Sequence, residues 1–173
     1  MADSIFLSFD FERDFHRAEQ IKKVWNSQPN RTLHGLWDLS GFPILEEQRE
    51  VQFKKYIDDV LKRSQVTVVL IGQETSQRSY VQYAVKESHR LDKGMFGIYV
   101  HKIKDGQGNT SKIGNAQFGE IGKSKDNQSI FFWKTYPLYR WVTDGGKNNL
   151  KKWVDTAAEK ADVAGQALRR LVS

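Results

Sequence analysis

The chain has 173 residues, 39% of them apolar and 12% aromatic, which suits one globular domain spanning residues 1–173 with a sizeable core. It has no cysteine, which excludes disulfides, thiolate zinc sites and cysteine nucleophiles. It has no apolar run near the roughly 20 residues of a membrane helix and no secretory signal, so a cytoplasmic protein without a membrane partner is expected. The net charge of +6 is dispersed as pairs (Lys22-Lys23, Lys54-Lys55, Lys151-Lys152, Arg169-Arg170), so a solvated basic surface is expected rather than a nucleic-acid site.

Ser4 to Phe9, SIFLSF, predicts a buried strand that Asp10 ends. Phe15, Ala18, Ile21, Val24 and Trp25 recur at helical spacing, so Glu12 to Asn26 predicts an amphipathic helix, stopped by Gln28-Pro29-Asn30. Leu33 to Trp37 is a second short apolar run, followed by Asp38 and a Ser40–Pro43 loop. A second helix is expected from Glu46 to Arg63, with Val51, Phe53, Tyr56, Ile57, Val60 and Leu61 on one face. Val66 to Ile71, VTVVLI, is the clearest strand: continuous, β-branched and closed by Gly72, hence central and parallel. A loop from Gln73 to Ser79 leads to a third helix ending near Leu91, and Met95 to Val100 is the fourth strand. Residues 105–128 hold five glycines among polar residues and predict a long loop, of a length that usually carries function. Ser129 to Trp133 is expected as the fifth strand. Trp133, Tyr136, Tyr139 and Trp141 then crowd together, Thr143–Gly146 is a turn, and Lys147 to Val172 is helical, with a break expected near Gly165. Strands alternating with helices predict right-handed crossovers and helices on both faces of a parallel sheet.

In such a sheet, ligands bind outside the carboxyl ends of the strands. Those ends present Phe9-Asp10, Asp38, Gly72-Gln73-Glu74 and Val100-His101. A phosphoacceptor receiver would need a carboxylate where Ile71-Gly72 stands. A flavodoxin would need a small, hydroxyl-rich phosphate loop where the bulky, acidic Phe9–Arg13 stands. No P-loop or GxGxxG occurs, and His16, His34, His89 and His101 lack the spacing of metal ligands.

Five stretches carry a resemblance: FLSFDF, LHGLWDLSGF, LIGQETSQRSYVQYAV, GIYVHKIKDGQGNTSKIGNAQF and YPLYRWVTDGGKNNLKKWV. Together they cover nearly the whole chain. They resemble the TIR-like proteins of bacterial Thoeris antiphage systems, the ThsB family. The long loop and the tail distinguish this branch from TIR adaptors. The resemblance implies a TIR/flavodoxin-like, doubly wound five-stranded parallel sheet. It implies cleavage of NAD between nicotinamide and ribose, with NAD as substrate and no cofactor. It also implies a phage-derived trigger, self-association, and an effector protein reached through a diffusible ADP-ribose-derived product, whether linear, cyclic or conjugated.

One departure follows from the same comparison. The family pattern on the third helix is an aromatic residue with the catalytic glutamate four positions later. Here Tyr80-Val81-Gln82-Tyr83-Ala84 puts Ala84 at the glutamate position. Three readings follow: replacement of a parental glutamate, a natural member without cleavage that serves as a sensor or assembly module, or a substitute carboxylate from Glu87 one turn on. By residue pattern alone, Val81, Ala84, Val85 and Ser88 make a buried helix stripe. The remaining candidates are assigned by position, each with a plain structural alternative. Phe9 and Asp10 would line the nicotinamide-ribose pocket, or serve as core and helix N-cap. Asp38 would bind ribose hydroxyls or cap its loop. Arg78 would meet the pyrophosphate or be a loop charge. Tyr80 and Tyr83 would stack on a ring or pack in the core. Asn115 matches the asparagine of a family segment whose proline is absent here.

Overall fold

Strand β3 (Val66–Ile71) forms where six apolar or β-branched residues run together, and all six are buried. In the computed structural model, which describes residues 2–39 and 46–172, it is the centre of a five-stranded sheet of order β2-β1-β3-β4-β7. The other strands are β1 (Ser4–Ser8), β2 (Thr32–His34), β4 (Gly94–Tyr99) and β7 (Leu138–Arg140). Every pairing is parallel, with Ile5 beside Val66, Val66 beside Gly94, and Ile98 beside Tyr139. The expected doubly wound α/β class is what the chain adopts.

The alternation of side chains along each strand sorts them onto two faces. Ile5 and Leu7 of β1 and Phe9 just beyond it, with Val66, Val68 and Leu70, meet helices α1 (Phe11–Asn26) and α5 (Gly146–Val172) through Ile21, Trp25, Leu150 and Val154. On the opposite face Phe6 packs against Ile57, Val60 and Leu61 of α2 (Arg49–Arg63) and Ala84 of α3 (Ser79–Arg90). Val69 and Ile71 meet Val81 and Val85 of α3 on that side. On the same side, Thr67 of β3 and Ser88 of α3 satisfy each other through a 2.7 Å hydroxyl contact, so neither polar group is stranded in the core.

Several expectations are corrected. Ser129 to Trp133 is not a strand of the main sheet. Its first part is β6 (Ser129–Phe131), which pairs antiparallel with β5 (Glu120–Lys123) inside the stretch expected to be all loop. Phe132–Thr135 then coils into the short helix α4. The fifth strand is Leu138–Arg140, only three residues long and hidden among the clustered aromatics. Tyr139 there stacks on Trp153 of α5 at 4.2 Å, which helps hold this edge in place. Nor does α5 break at Gly165; it is one helix of 27 residues, since a single interior glycine costs only about 1 kcal/mol. The apolar run from Leu33 is strand only through His34, and Leu36–Leu39 forms a 3-10 turn. The second helix begins at Arg49, after a 3-10 turn over Glu46–Gln48. The Ser40–Pro43 loop lies outside the described residues.

Candidate functional site

The first turn of α1 and the loop after β3 form the rim of the sheet. Asp10 is fully buried and caps α1, accepting from the Arg13 N–H at 3.3 Å. Its second oxygen meets Arg78 Nε at 3.0 Å as an ion pair off hydrogen-bond geometry. Arg78 also reaches Glu74 at 3.4 Å and Glu12 at 3.7 Å, while Arg13 Nε lies 2.7 Å from Glu74. A chain of ion pairs, Asp10–Arg78–Glu74–Arg13, therefore ties α1 to the β3–α3 loop. Burial alone would lower the Arg78 pKa, yet Asp10 beside it holds it above the ordinary arginine value.

An aromatic wall flanks this network. Phe9 is buried and lies 4.9 Å from Trp37 and 6.0 Å from Phe11, ring centre to ring centre. The Tyr80 hydroxyl accepts the Phe11 N–H at 3.1 Å, and its ring meets Phe53 edge-on. Asp38 follows Trp37 in the 3-10 turn Leu36–Leu39. It accepts from the Tyr56 hydroxyl at 2.6 Å and contacts His34 Nδ1 at 3.1 Å, and its side chain stays well exposed. Burial and the Asp38 hydrogen bond both push the Tyr56 phenol up, so it remains a donor at neutral pH. The structure thus brings Phe9, Asp10, Arg78 and Tyr80 to one rim, with Asp38 anchored nearby.

Other candidates lie elsewhere. Ala84 is fully buried, in one cluster with Phe6, Ile57, Val60 and Leu61. This agrees with the helix-stripe reading of its position. Glu87 is held by Arg90 at 2.8 Å, about 12 Å along α3 from Ser79. Tyr83 turns toward α2, where its hydroxyl donates to Asp58 at 2.6 Å; that bond, with burial, pushes its pKa up to about 12. Asn115 is exposed and accepts the Gln117 N–H at 3.0 Å, closing its own loop turn. Its neighbour Gly114 lies so close to the Gly72 carbonyl that a Cβ there would collide.

The residue that sequence reasoning missed is Asp14. It lies one turn beyond Asp10 on α1, where the backbone leaves helical geometry (φ −112°, ψ 15°). Its side chain is 1% exposed. Oδ1 accepts from Arg17 Nη1 at 2.9 Å, whereas Oδ2 is buried without a hydrogen-bond partner. Burial raises its pKa more than Arg17 lowers it. Gly72 is required opposite, because a Cβ there would strike this carboxylate. The one signal available in the sequence was the glycine that closes β3. Among the described residues no group of three or more His, Asp or Glu could hold a metal ion, and no helix is long and apolar enough to cross a membrane.

A family model described as "Thoeris protein ThsB, TIR-like domain" matches residues 6–105. These residues run from within β1 to just beyond β4 and include Phe9, Asp10, Asp38, Arg78 and Tyr80. The chain is also 24% identical, over 193 aligned positions, to the Bacillus cereus (strain MSX-D12) protein named "Putative cyclic ADP-D-ribose synthase ThsB1". That alignment covers 90% of this chain and 100% of the relative.

Proposed function

The chain belongs to the Thoeris ThsB TIR-like family, and from that membership we propose that it is an NAD-processing protein of antiphage defence that works at the strand-end rim. In this reading NAD lies against Phe9 and Tyr80, with Asp38 toward ribose hydroxyls and Arg78 toward the diphosphate. The bond to be broken joins nicotinamide to ribose. Nicotinamide leaves from a cationic pyridinium, so no acid is needed to protonate it. What the site must supply is orientation and negative charge beneath the developing oxocarbenium ion. The product is an ADP-ribose-derived signal that reaches an effector by diffusion. The observation that carries the reading is the convergence of Phe9, Asp10, Arg78 and Tyr80 on one rim within the family's matched segment. The ADP-ribose chemistry named for the relative supports it.

We further read this chain as impaired in cleavage, because Ala84 places a methyl group where the family carries its catalytic carboxylate. A second reading is a TIR module that assembles with itself or a partner and does not cleave. The burial of Ala84 behind Phe6, Ile57 and Leu61 favours it, since such a position offers no solvated carboxylate to a ribose. One pair of measurements separates these readings. Purified protein is titrated with NAD by calorimetry, and nicotinamide release is followed by chromatography. Binding without release is expected. Release at the rate of an active family member would end the impairment reading. Absence of both binding and release would leave only the assembly module.

A further inference from the structure

The rim balances its own charges, and this limits what can enter it. Arg13, Arg49 and Arg78 face Asp10, Glu12 and Glu74, paired at 2.7 to 3.7 Å. A diphosphate brought to Arg78 therefore meets arginines that are already neutralised. Like charge repels it at short range unless one of the carboxylates gives way.

The three carboxylates differ in their freedom to do so. Asp10 is fully buried and caps α1, so it stays and holds Arg78 Nε at 3.0 Å. Glu12 lies farthest from Arg78, at 3.7 Å, and is taken by Arg49 at 3.1 Å. Glu74 bridges Arg13 at 2.7 Å and Arg78 at 3.4 Å, and its side chain is 31% exposed, so its carboxylate can swing into water. The backbone beneath it need not move. Thr75 is buried, its hydroxyl accepts the Gly72 N–H at 2.7 Å, and its carbonyl accepts the Arg78 N–H at 3.1 Å. Two further carboxylates line the cavity that adjoins Arg13, and both are committed. Asp14 is paired with Arg17, and Asp105 accepts the Gln107 and Asn109 N–H groups.

We propose that Glu74 is a built-in stand-in for the ligand's diphosphate: its carboxylate holds the place between Arg13 and Arg78 until a diphosphate displaces it. The assignment deepens the NAD reading and rests on it. Asp10 keeps Arg78 aimed at the rim, while Glu74 is the exchangeable partner of both arginines. The apparent affinity for the ligand is then reduced by the fraction of molecules in which Glu74 has swung away. The rim is thereby self-inhibited, and any change that draws Glu74 off the two arginines opens it.

The test titrates pyrophosphate, ADP-ribose and NAD, with adenosine as the ligand lacking phosphate, against the parent chain and Glu74→Gln by calorimetry. Gln keeps the size of the side chain and loses its charge. Glu74→Gln should bind the three phosphate ligands about tenfold more tightly than the parent, the scale of two half-exposed ion pairs no longer given up, and adenosine no differently. Glu74→Ala should show the same gain and keeps the test decisive if Glu74→Gln fails to fold. Glu159→Gln makes the same change in net charge at an exposed position on α5 and should leave every affinity unchanged. Arg13→Gln added to Glu74→Gln should remove part of the gain. If the parent binds NAD and Glu74→Gln fails to tighten it, or Glu159→Gln tightens it equally, the stand-in is wrong and the NAD reading is untouched. If Glu74→Gln gains pyrophosphate while neither chain binds NAD, the stand-in holds and the NAD reading falls. Binding of no phosphate ligand by either chain overturns both.

Discussion

Replacing Ala84 by glutamate puts a carboxylate, as the resemblance would have it there, where the structure has a methyl group with no solvent exposure, facing Phe6, Ile57, Val60 and Leu61. A carboxylate in such surroundings avoids ionising, and burial raises its pKa by about 3 units or more. Holding it neutral at pH 7, above an ordinary glutamate value of about 4.3, costs about 4 kcal/mol at about 1.36 kcal/mol per unit. The sign follows from proton uptake. The folded-state pKa is raised, so the folded state holds a proton that the unfolded chain releases, and stability falls as pH rises above about 4.3. At pH 5 the same term shrinks to about 1 kcal/mol. Overpacking adds about 1–3 kcal/mol at either pH. Urea unfolding of Ala84→Glu against the parent at both pH values should therefore give a penalty about 2.5 kcal/mol larger at pH 7. Ala84→Gln, of similar size but without a titrating group, should show no such difference. A penalty for Ala84→Glu below about 1 kcal/mol and independent of pH would refute the burial argument. Position 84 would then open onto the rim, and nicotinamide release by that variant would assign it the catalytic carboxylate.

Gly72→Ala should destabilise the fold by about 1–3 kcal/mol, because the added methyl strikes the Asp14 carboxylate. The penalty should shrink when Asp14→Ala is also present; an unchanged penalty in a double-mutant cycle would count against that contact. Trp153→Ala removes the ring stacked on Tyr139 and edge-on to Phe96, and should cost about 3–5 kcal/mol in urea unfolding. A loss under about 1 kcal/mol would mean that α5 is held by other contacts. Burial pushes the Asp155 pKa up, but a hydrogen bond from Lys151 and another from the Ala2 N–H outweigh it and hold the carboxyl below its ordinary value. Its stabilising contribution is thus present above about pH 4 and lost as pH falls through the folded-state value. Asp155→Asn should be less stable than the parent at pH 7 and converge with it in acid; a gap that widens on acidification would contradict the assignment.

Periodicity along the chain was enough to mark the four long helices and the three longer strands, because burial on one face or on both imposes a local pattern of side chains. VTVVLI reads as a central strand, and the spacing of Val81, Ala84, Val85 and Ser88 reads as a buried helix stripe, and the structure has both. The rim position of Phe9 and Asp10 followed from the same logic, since strand ends in a parallel sheet share one edge. What pattern does not carry is partnership. Ser129–Phe131 reads as a strand, yet nothing local says that Glu120–Lys123 claims it and leaves the sheet edge to Leu138–Arg140. Arg13 and Glu74 pair across 61 positions, and Arg17 holds the Asn109 carbonyl across 92. Asp14 reads as one more polar residue on an amphipathic helix. It becomes a buried carboxyl only when β3 ends at a glycine beside it and a distant loop closes over both. Local sequence sets which residues leave water; the packing of remote segments decides which polar groups leave water with them, and therefore where the chemistry can be.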